Sequence, residues 1–181
     1  IMAVDDSFTK LLLHCDGTDG STTFTDESWK TVTAVGNAQI DTAKKKFWTG
    51  SALFDGTGDW LSIPDSADFA FWTGDFTIDF QYMQNAAAAY AVWYTQRVDG
   101  NNVILFHTWL NWLRPRFVVL SGGTLVALYE ATSDQTFTAD TWYHLALVRS
   151  GTNLYIFKEG VSLSLTVTQA ISTSSLPDLS A

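Results

Sequence analysis

Short runs rich in Thr, Val, Ile, Phe, Tyr and Trp recur along the chain, separated by Gly, Asp, Asn and Ser. Apolar runs bounded by turn residues are typical of β-strands, and their close spacing favours antiparallel neighbours over strand–helix–strand units. The predicted strands are Lys10–Cys15, Ala38–Asp41, Ser51–Phe54, Trp60–Ile63, Phe76–Met83, Ala91–Arg97, Val103–Thr108, Arg116–Leu120, Leu125–Glu130, Trp142–Arg149, Asn153–Lys158 and Ser162–Thr168. The pattern therefore predicts an all-β fold, an antiparallel sandwich or barrel.

Two of these strands also show which way their side chains face. Over Phe76–Met83, apolar and polar residues alternate, as expected for a strand with one buried face. Over Trp142–Arg149, both alternating sets are largely apolar. We therefore expect the second strand to lie inside a sheet that is covered on both sides.

Composition and charge limit the domain count and the classes of partner. A chain of 181 residues suits a single domain with a substantial core, which we place over residues 1–181. The net charge is −9 and the basic residues cluster only at Lys44–Lys46, so we expect no binding to nucleic acid. No apolar run approaches the roughly 20 residues of a membrane span, and we expect no membrane insertion. The single cysteine, Cys15, excludes an intramolecular disulfide and favours a virion or cytosolic protein over a small secreted scaffold.

The turn Phe54–Asp59, with the sequence FDGTGD, has three interpretations. A phosphate loop is disfavoured because Leu61 stands where the dinucleotide fingerprint requires a third glycine. Asp55 and Asp59 offer oxygens for calcium, although the loop departs from the EF-hand pattern. The remaining interpretation is a five-residue hairpin in which the glycines supply positive φ and the aspartates cap the turn.

Residue patterns for catalysis are largely missing. A glycosidase needs two carboxylates that flank the scissile bond, and none of the nineteen acidic residues lies two positions from another. Carboxylates on neighbouring strands could still meet. His14 and Cys15 are adjacent on a predicted strand and so point to opposite faces. His144 lies on an apolar strand face, where we expect a hydrogen-bonded core histidine.

An aromatic and basic cluster is the strongest candidate for recognition. The segment from His107 to Phe117 brings Trp109, Trp112, Arg114 and Arg116 close together in sequence. Exposed Trp and Arg are favoured contact residues, and flat rings can stack on sugars. In the alternative interpretation, the tryptophans fill the core or the edge of the sandwich.

Three stretches in combination resemble the laminin G-like, concanavalin A-like lectin/glucanase superfamily, in the form found on phage virion proteins. They are Leu11–Ser28, with an acidic Gly turn; Gly50–Tyr82; and Thr141–Val161, with a Trp-x-His strand before a hairpin. The resemblance implies a two-sheet antiparallel jelly roll with its core over residues 8–171. It further implies a module of a tail fibre, tail or capsid appendage, exposed on the phage particle. Most such modules bind carbohydrate or protein, or act structurally, without catalytic residues.

The resemblance also implies a cofactor and partners. Some relatives hold calcium in a loop at the sandwich edge, for which Asp16, Asp55 and Asp59 are the candidates here. Apart from calcium, we expect no cofactor. The expected partners are a host-surface carbohydrate or other virion proteins, with self-association in the virion.

Two departures from the family pattern affect these expectations. Glu159 replaces the usual hairpin Asp, and the chain stops at Ala181, whereas family members continue past the position of Pro177 into further strands. We expect residues 172–181 to be a tail or the lead-in to a missing strand, which another chain could supply. The preferred hypothesis is thus a non-enzymatic virion module for glycan or protein binding. The alternatives are a purely structural decoration domain and, less favoured, a glycan-cleaving enzyme.

Overall fold

The computed structural model describes residues 6–85, 90–109 and 113–179. The fold is nearly all β with antiparallel sheets, as predicted, and is consistent with a concanavalin A-like jelly-roll sandwich. The chain divides into two compact units, Ile1–Phe69 (unit 1) and Ala70–Ala181 (unit 2). The single domain over residues 1–181 stays a prediction. Within the described ranges, no helix is long and apolar enough to cross a membrane.

Unit 1 is built on one long, interrupted hairpin. Its elements are β1 (Thr33–Val35), β2 (Gln39–Asp41), β3 (Ser51–Leu53), β4 (Trp60–Ser62) and a 3₁₀ helix (Ala67–Phe69). Strand β2 pairs with β3, and β1 pairs with β4, both antiparallel. The prediction that Phe54–Asp59 is a hairpin tip is therefore wrong. This segment interrupts the second arm of the hairpin, and residues 42–50 form the tip.

Hydrogen bonds across the hairpin explain the interruption. Asp59 accepts hydrogen bonds from the backbone N–H of Asn37 on the opposite arm and from that of Asp55. Gly36 adopts φ +73°, and a Cβ there would lie 2.6 Å from the carbonyl oxygen of Gly58. Because only glycine fits so close a backbone approach, Gly36 allows the two arms to come together at this point.

The predicted strand Lys10–Cys15 is also wrong. Within the described chain, only an isolated bridge between Leu13 and Asp26 forms there. The buried carboxylate of Asp26 accepts hydrogen bonds from the N–H groups of Leu12, Ser28 and Lys30. These side-chain contacts satisfy N–H groups that a ladder would otherwise use. Cys15, with φ +55°, then turns the chain away.

Unit 2 contains two antiparallel sheets. Its strands are β5 (Phe76–Tyr82), β6 (Val92–Arg97), β7 (Val103–Trp109), β8 (Arg114–Ser121), β9 (Thr124–Ala131), β10 (Tyr143–Ser150), β11 (Asn153–Lys158), β12 (Val161–Ser162) and β13 (Leu165–Gln169). The order is β12-β11-β10-β5 in one sheet and β13-β9-β8-β7-β6 in the other. Strand β10 is an interior strand buried on both faces at its centre, and β5 alternates between exposed and less exposed residues, as predicted.

The core of unit 2 draws on both sheets. Phe106, Phe117 and Tyr129 contribute from the five-stranded sheet, and Leu147 and Ile156 contribute from the four-stranded one. The rings of Phe80 and Phe106, one from each sheet, lie 6.1 Å apart between centroids. The buried residues thus lie between the two sheets, as in a sandwich.

The segment after β13 belongs to this core. Ile171 and Leu176 are fully buried in the same cluster, and Leu179 packs against it. The interpretation of residues 172–181 as a trailing tail is therefore wrong as far as Leu179. The N–H of Leu176 donates to the carbonyl oxygen of Trp72, which fixes the segment.

Arg149 is buried at one end of β10, where three segments of unit 2 meet. Its side chain is only 2% exposed. The guanidinium donates hydrogen bonds to the carbonyl oxygens of Trp72, Gly151, Ser172 and Ser174. The arginine thus ties the entry to β5 and the C-terminal segment to the β10–β11 turn.

Candidate functional site

A polar row crosses the face of the five-stranded sheet that points away from the core of unit 2. His107 on β7 lies opposite Arg116 on β8, and Arg116 lies opposite Glu130 on β9. Directly opposed residues share a face, and the neighbours Phe106, Phe117 and Tyr129 point into the core. The polar row is therefore set by strand alternation and register.

Trp109 and two arginines extend this row toward the end of β7. The guanidinium carbon of Arg116 lies 4.3 Å from the centroid of the Trp109 ring, within cation–π range. Trp109 lies opposite Arg114 in the ladder and is 41% exposed. We call Trp109, Arg114, Arg116 and Glu130 the Trp109 patch.

Ion pairs fix the arginines of the Trp109 patch. Arg114 Nε lies 2.7 Å from Asp134 Oδ1, and its Nη1 lies 3.7 Å from Glu130 Oε1. Arg116 Nε lies 4.0 Å from Glu130 Oε2, too far for a hydrogen bond. The structure thus brings together three of the four predicted recognition residues. The fourth, Trp112, lies outside the described residues.

His107 is the most electrostatically perturbed group of the polar row. It is 2% exposed, and neither ring nitrogen has a hydrogen-bond partner among the described residues. The rings of Tyr90 and Trp109 both make edge-on contacts with it. Burial and the charge of Arg116 lower the pKa of His107 to about 4, so the imidazole is neutral at pH 7. Burial likewise lowers the pKa of Arg116.

Sequence reasoning missed His107 and Glu130 as members of this site. His107 shares a strand face with Trp109, so the alternation of β7 could have indicated it. Glu130 is distant in sequence and joins only through the β8–β9 register. The site combines an aromatic ring with two guanidiniums and two carboxylates. Such groups can stack on a sugar and exchange hydrogen bonds with its hydroxyls.

The acidic residues bear on the glycosidase alternative. Glu130 on β9 and Asp134 in the loop after it each form an ion pair with Arg114. His144 is not a core histidine, since its side chain is 36% exposed. Its Nε2 lies 3.3 Å from Asp79 Oδ2 across the β5–β10 ladder, because both residues point away from the core.

The calcium candidates lie in unit 1, and their oxygens already accept hydrogen bonds. Asp55 accepts from Asn37 Nδ2 and from the N–H of Thr57. Asp16 accepts from the N–H and hydroxyl of Thr49, away from the contacts of Asp55 and Asp59. In the described part of the chain, no three His, Cys, Asp or Glu residues form a cluster suited to a metal ion. Calcium binding stays a prediction.

Comparison with known proteins identifies the family. The family model described as the concanavalin A-like lectin/glucanases superfamily, of laminin G type, matches residues 55–178. The matched stretch includes every strand of unit 2 and the whole Trp109 patch. No curated protein and no solved structure matches the chain. Because the matched stretch covers well over half of the 181 residues, the chain belongs to the concanavalin A-like lectin/glucanases superfamily.

Proposed function

We propose that this protein is a non-enzymatic binding module of a phage virion that recognises a host-surface glycan through the Trp109 patch. The observation that carries the proposal is the stack of Arg116 on Trp109, at 4.3 Å, beside a second, ion-paired arginine. A ring held by a guanidinium is presented in one orientation, which lowers the entropy lost on binding.

The polar groups around the ring suit a hydroxyl-rich ligand. Arg114 and Arg116 supply donors, while Glu130 and Asp134 supply acceptors. Their charges balance, so the patch favours a neutral or weakly charged sugar over a polyanion. The partial exposure of Trp109 leaves ring surface for a pyranose.

The virion location and the lack of catalysis rest on other grounds. The location on a tail fibre, tail or capsid appendage is supported by the resemblance of the three sequence stretches alone. Non-enzymatic action is supported by Glu130 and Asp134, which both contact Arg114. A glycosidase instead needs one carboxyl group as the acid and the other as base or nucleophile. Release of reducing ends from host polysaccharide by the purified protein would contradict this part.

The proposal that the Trp109 patch binds a glycan is tested with a glycan array and a host-cell adsorption assay. Trp109→Ala should weaken binding of an array-positive glycan by about tenfold or more, the loss of roughly 1.4 kcal/mol. The matched control is Tyr155→Ala, since Tyr155 on β11 is 38% exposed but lies on the other sheet. An array without binding, or equal binding by Trp109→Ala and wild type, would refute the proposal.

A structural decoration role is the second candidate function. It is favoured by exposed valines on the edge strands, Val161 on β12 and Val167 on β13. Edge strands can pair with another copy in a virion assembly. Under this alternative, acrylamide would quench tryptophan fluorescence weakly in the assembled state. Under glycan recognition, an exposed Trp109 would remain accessible to the quencher.

A further inference from the structure

A second surface, on unit 1, combines charge and aromatic rings in a different way. Residues Ala43–Trp48, which we call the lysine loop, form the tip of the long hairpin between β2 and β3. The loop carries Lys44, Lys45 and Lys46 in succession, and every one of its residues is exposed. These three lysines come from only ten basic residues in a chain of net charge −9.

Two aspartates fix the base of the lysine loop. Asp19 Oδ1 accepts hydrogen bonds from the N–H and hydroxyl of Thr42, at 2.9 and 3.1 Å. Asp16 Oδ1 accepts the corresponding two bonds from Thr49, at 2.8 and 2.9 Å. Both ends of the loop are thus clamped by the same pair of contacts, an Asp carboxylate with a Thr. The acidic turn CDGTDG therefore positions a basic loop.

Packing beneath the loop reinforces this clamp. Gly50 is buried, and a Cβ there would lie 2.8 Å from Ile40 Cγ2 and 3.0 Å from the carbonyl oxygen of Cys15. The imidazole of His14 lies 5.5 Å from the Trp48 ring. The loop is consequently presented by a closely packed base.

The aromatic residues of the loop point to a ligand. Phe47 and Trp48 are each 57% exposed, which is unusual for two adjacent large rings. Trp48 adopts φ +53°, a conformation that costs an ordinary residue about 1–2 kcal/mol. Strain of this kind at a bulky exposed residue favours a functional role over a packing role.

We propose that the lysine loop is a second binding site, separate from the Trp109 patch, for a polyanionic glycan. The ligand carries repeated carboxylate, phosphate or sulfate groups. The ammonium groups attract the anions, and the rings of Phe47 and Trp48 contact the sugar faces. No carboxylate among the described residues lies within ion-pair distance of Lys45 or Lys46, so both remain available to a ligand.

Charge outside the loop selects a polysaccharide over a flat anionic surface. Apart from the three lysines, the chain is even more negative than its total of −9. An anionic membrane that met the loop face-on would also approach the carboxylates of Asp16 and Asp19 at its base, within a screening length of about 10 Å. A polysaccharide strand can contact the loop alone, which avoids most of that repulsion.

Biolayer interferometry on the full chain tests this proposal with four probes. The probes are polygalacturonate, dextran sulfate, neutral dextran and vesicles that contain phosphatidylglycerol. The variants are Lys45→Gln with Lys46→Gln, and Trp48→Gly, which removes both the ring and the backbone strain. Lys10→Gln with Arg97→Gln removes the same charge from other exposed positions and is the matched control.

We expect wild type to bind at least one of the two polyanions, more weakly as NaCl rises, and not to bind neutral dextran. The loop lysine variant should lose about tenfold in affinity and Trp48→Gly at least threefold, while the charge-matched control retains more than half. If the charge-matched control lost as much affinity as the loop lysine variant, the net charge of the chain would explain the binding and the proposal would be overturned. Binding of vesicles without either polyanion would overturn it in favour of a membrane. Trp109→Ala should leave polyanion binding unchanged. The glycan proposal for the Trp109 patch and the polyanion proposal for the lysine loop can therefore fail independently of each other.

Discussion

Arg149→Met tests whether the buried arginine holds unit 2 together. Methionine has a similar length but donates no hydrogen bond, so the carbonyl oxygens of Ser172 and Ser174 lose their contacts. The carbonyl of Trp72 keeps a donor, because the N–H of Leu176 also reaches it. The replacement thus isolates the contribution of the guanidinium.

The magnitude follows from the contact lengths. The two shortest bonds of the guanidinium measure 2.9 and 3.0 Å, and the others measure 3.2 and 3.3 Å. Hydrogen bonds to a charged group contribute about 1.5–3 kcal/mol each, and removing the charge also relieves its burial cost. We therefore expect a net loss of about 3 kcal/mol in the free energy of unfolding. For a chain of this size that lowers Tm by about 6–12 °C.

Urea denaturation followed by circular dichroism measures the change, with the m value as a check on cooperativity. Arg149→Lys should be intermediate, since one ammonium on a shorter stem cannot span all of these carbonyls. Arg97→Met, at an exposed position of β6, should change stability by less than about 0.5 kcal/mol. A loss below about 1 kcal/mol for Arg149→Met, or wild-type stability for Arg149→Lys, would refute the reasoning.

Three further predictions follow from the described geometry. In urea denaturation, Gly36→Ala should lower the free energy of unfolding by at least about 2 kcal/mol, because its Cβ would meet the backbone of Gly58. Gly58→Ala should cost only about 1 kcal/mol, because Gly58 has a similar positive φ but open space around it. Equal losses for the two variants would contradict the close approach at Gly36. His107, with a pKa of about 4 against 6.5 when unfolded, contributes stability above pH 6.5 that is lost as pH falls toward 4. Wild type should therefore lose about 1–2 kcal/mol more than His107→Gln between pH 7 and 5, and parallel curves would contradict this. Burial raises the pKa of Cys15 to about 11, so Ellman's reagent should react slowly until urea unfolds the protein, and fast native reaction would contradict the burial.

Strand patterns were predictable from sequence where the strands are long. The alternation of β5 and the two apolar faces of β10 indicated their burial, because side-chain period and core position coincide there. The sequence predicted a hairpin tip at Asp55 to Asp59, which is wrong because local turn signals do not identify the strand with which each flanking strand pairs. Asp59 contacts Asn37, 22 positions earlier, and that contact separates two ladders.

The candidate site was partly predictable for a similar reason. Trp109, Arg114 and Arg116 lie close in sequence on two adjacent strands, so a local cluster became a spatial one. Glu130 depends on the register of the next strand, which no local pattern specifies. Arg149 was placed correctly on a strand, but its burial depends on carbonyls from distant segments, such as Trp72 and Ser174.

The paired clamps beneath the lysine loop have a consequence for how this domain can diversify. Asp16 and Asp19 hold Thr42 and Thr49 at the two ends of the loop, and residues between those threonines bond to the hairpin arms through backbone groups, the N–H of Ala43 to Asp41 and the carbonyl oxygen of Lys44 to Ser51. Substitutions there can alter binding specificity while the hairpin stays closed. The loop is therefore the natural position for grafting foreign peptides onto this scaffold, provided that the two Asp–Thr contacts and Gly50 are retained.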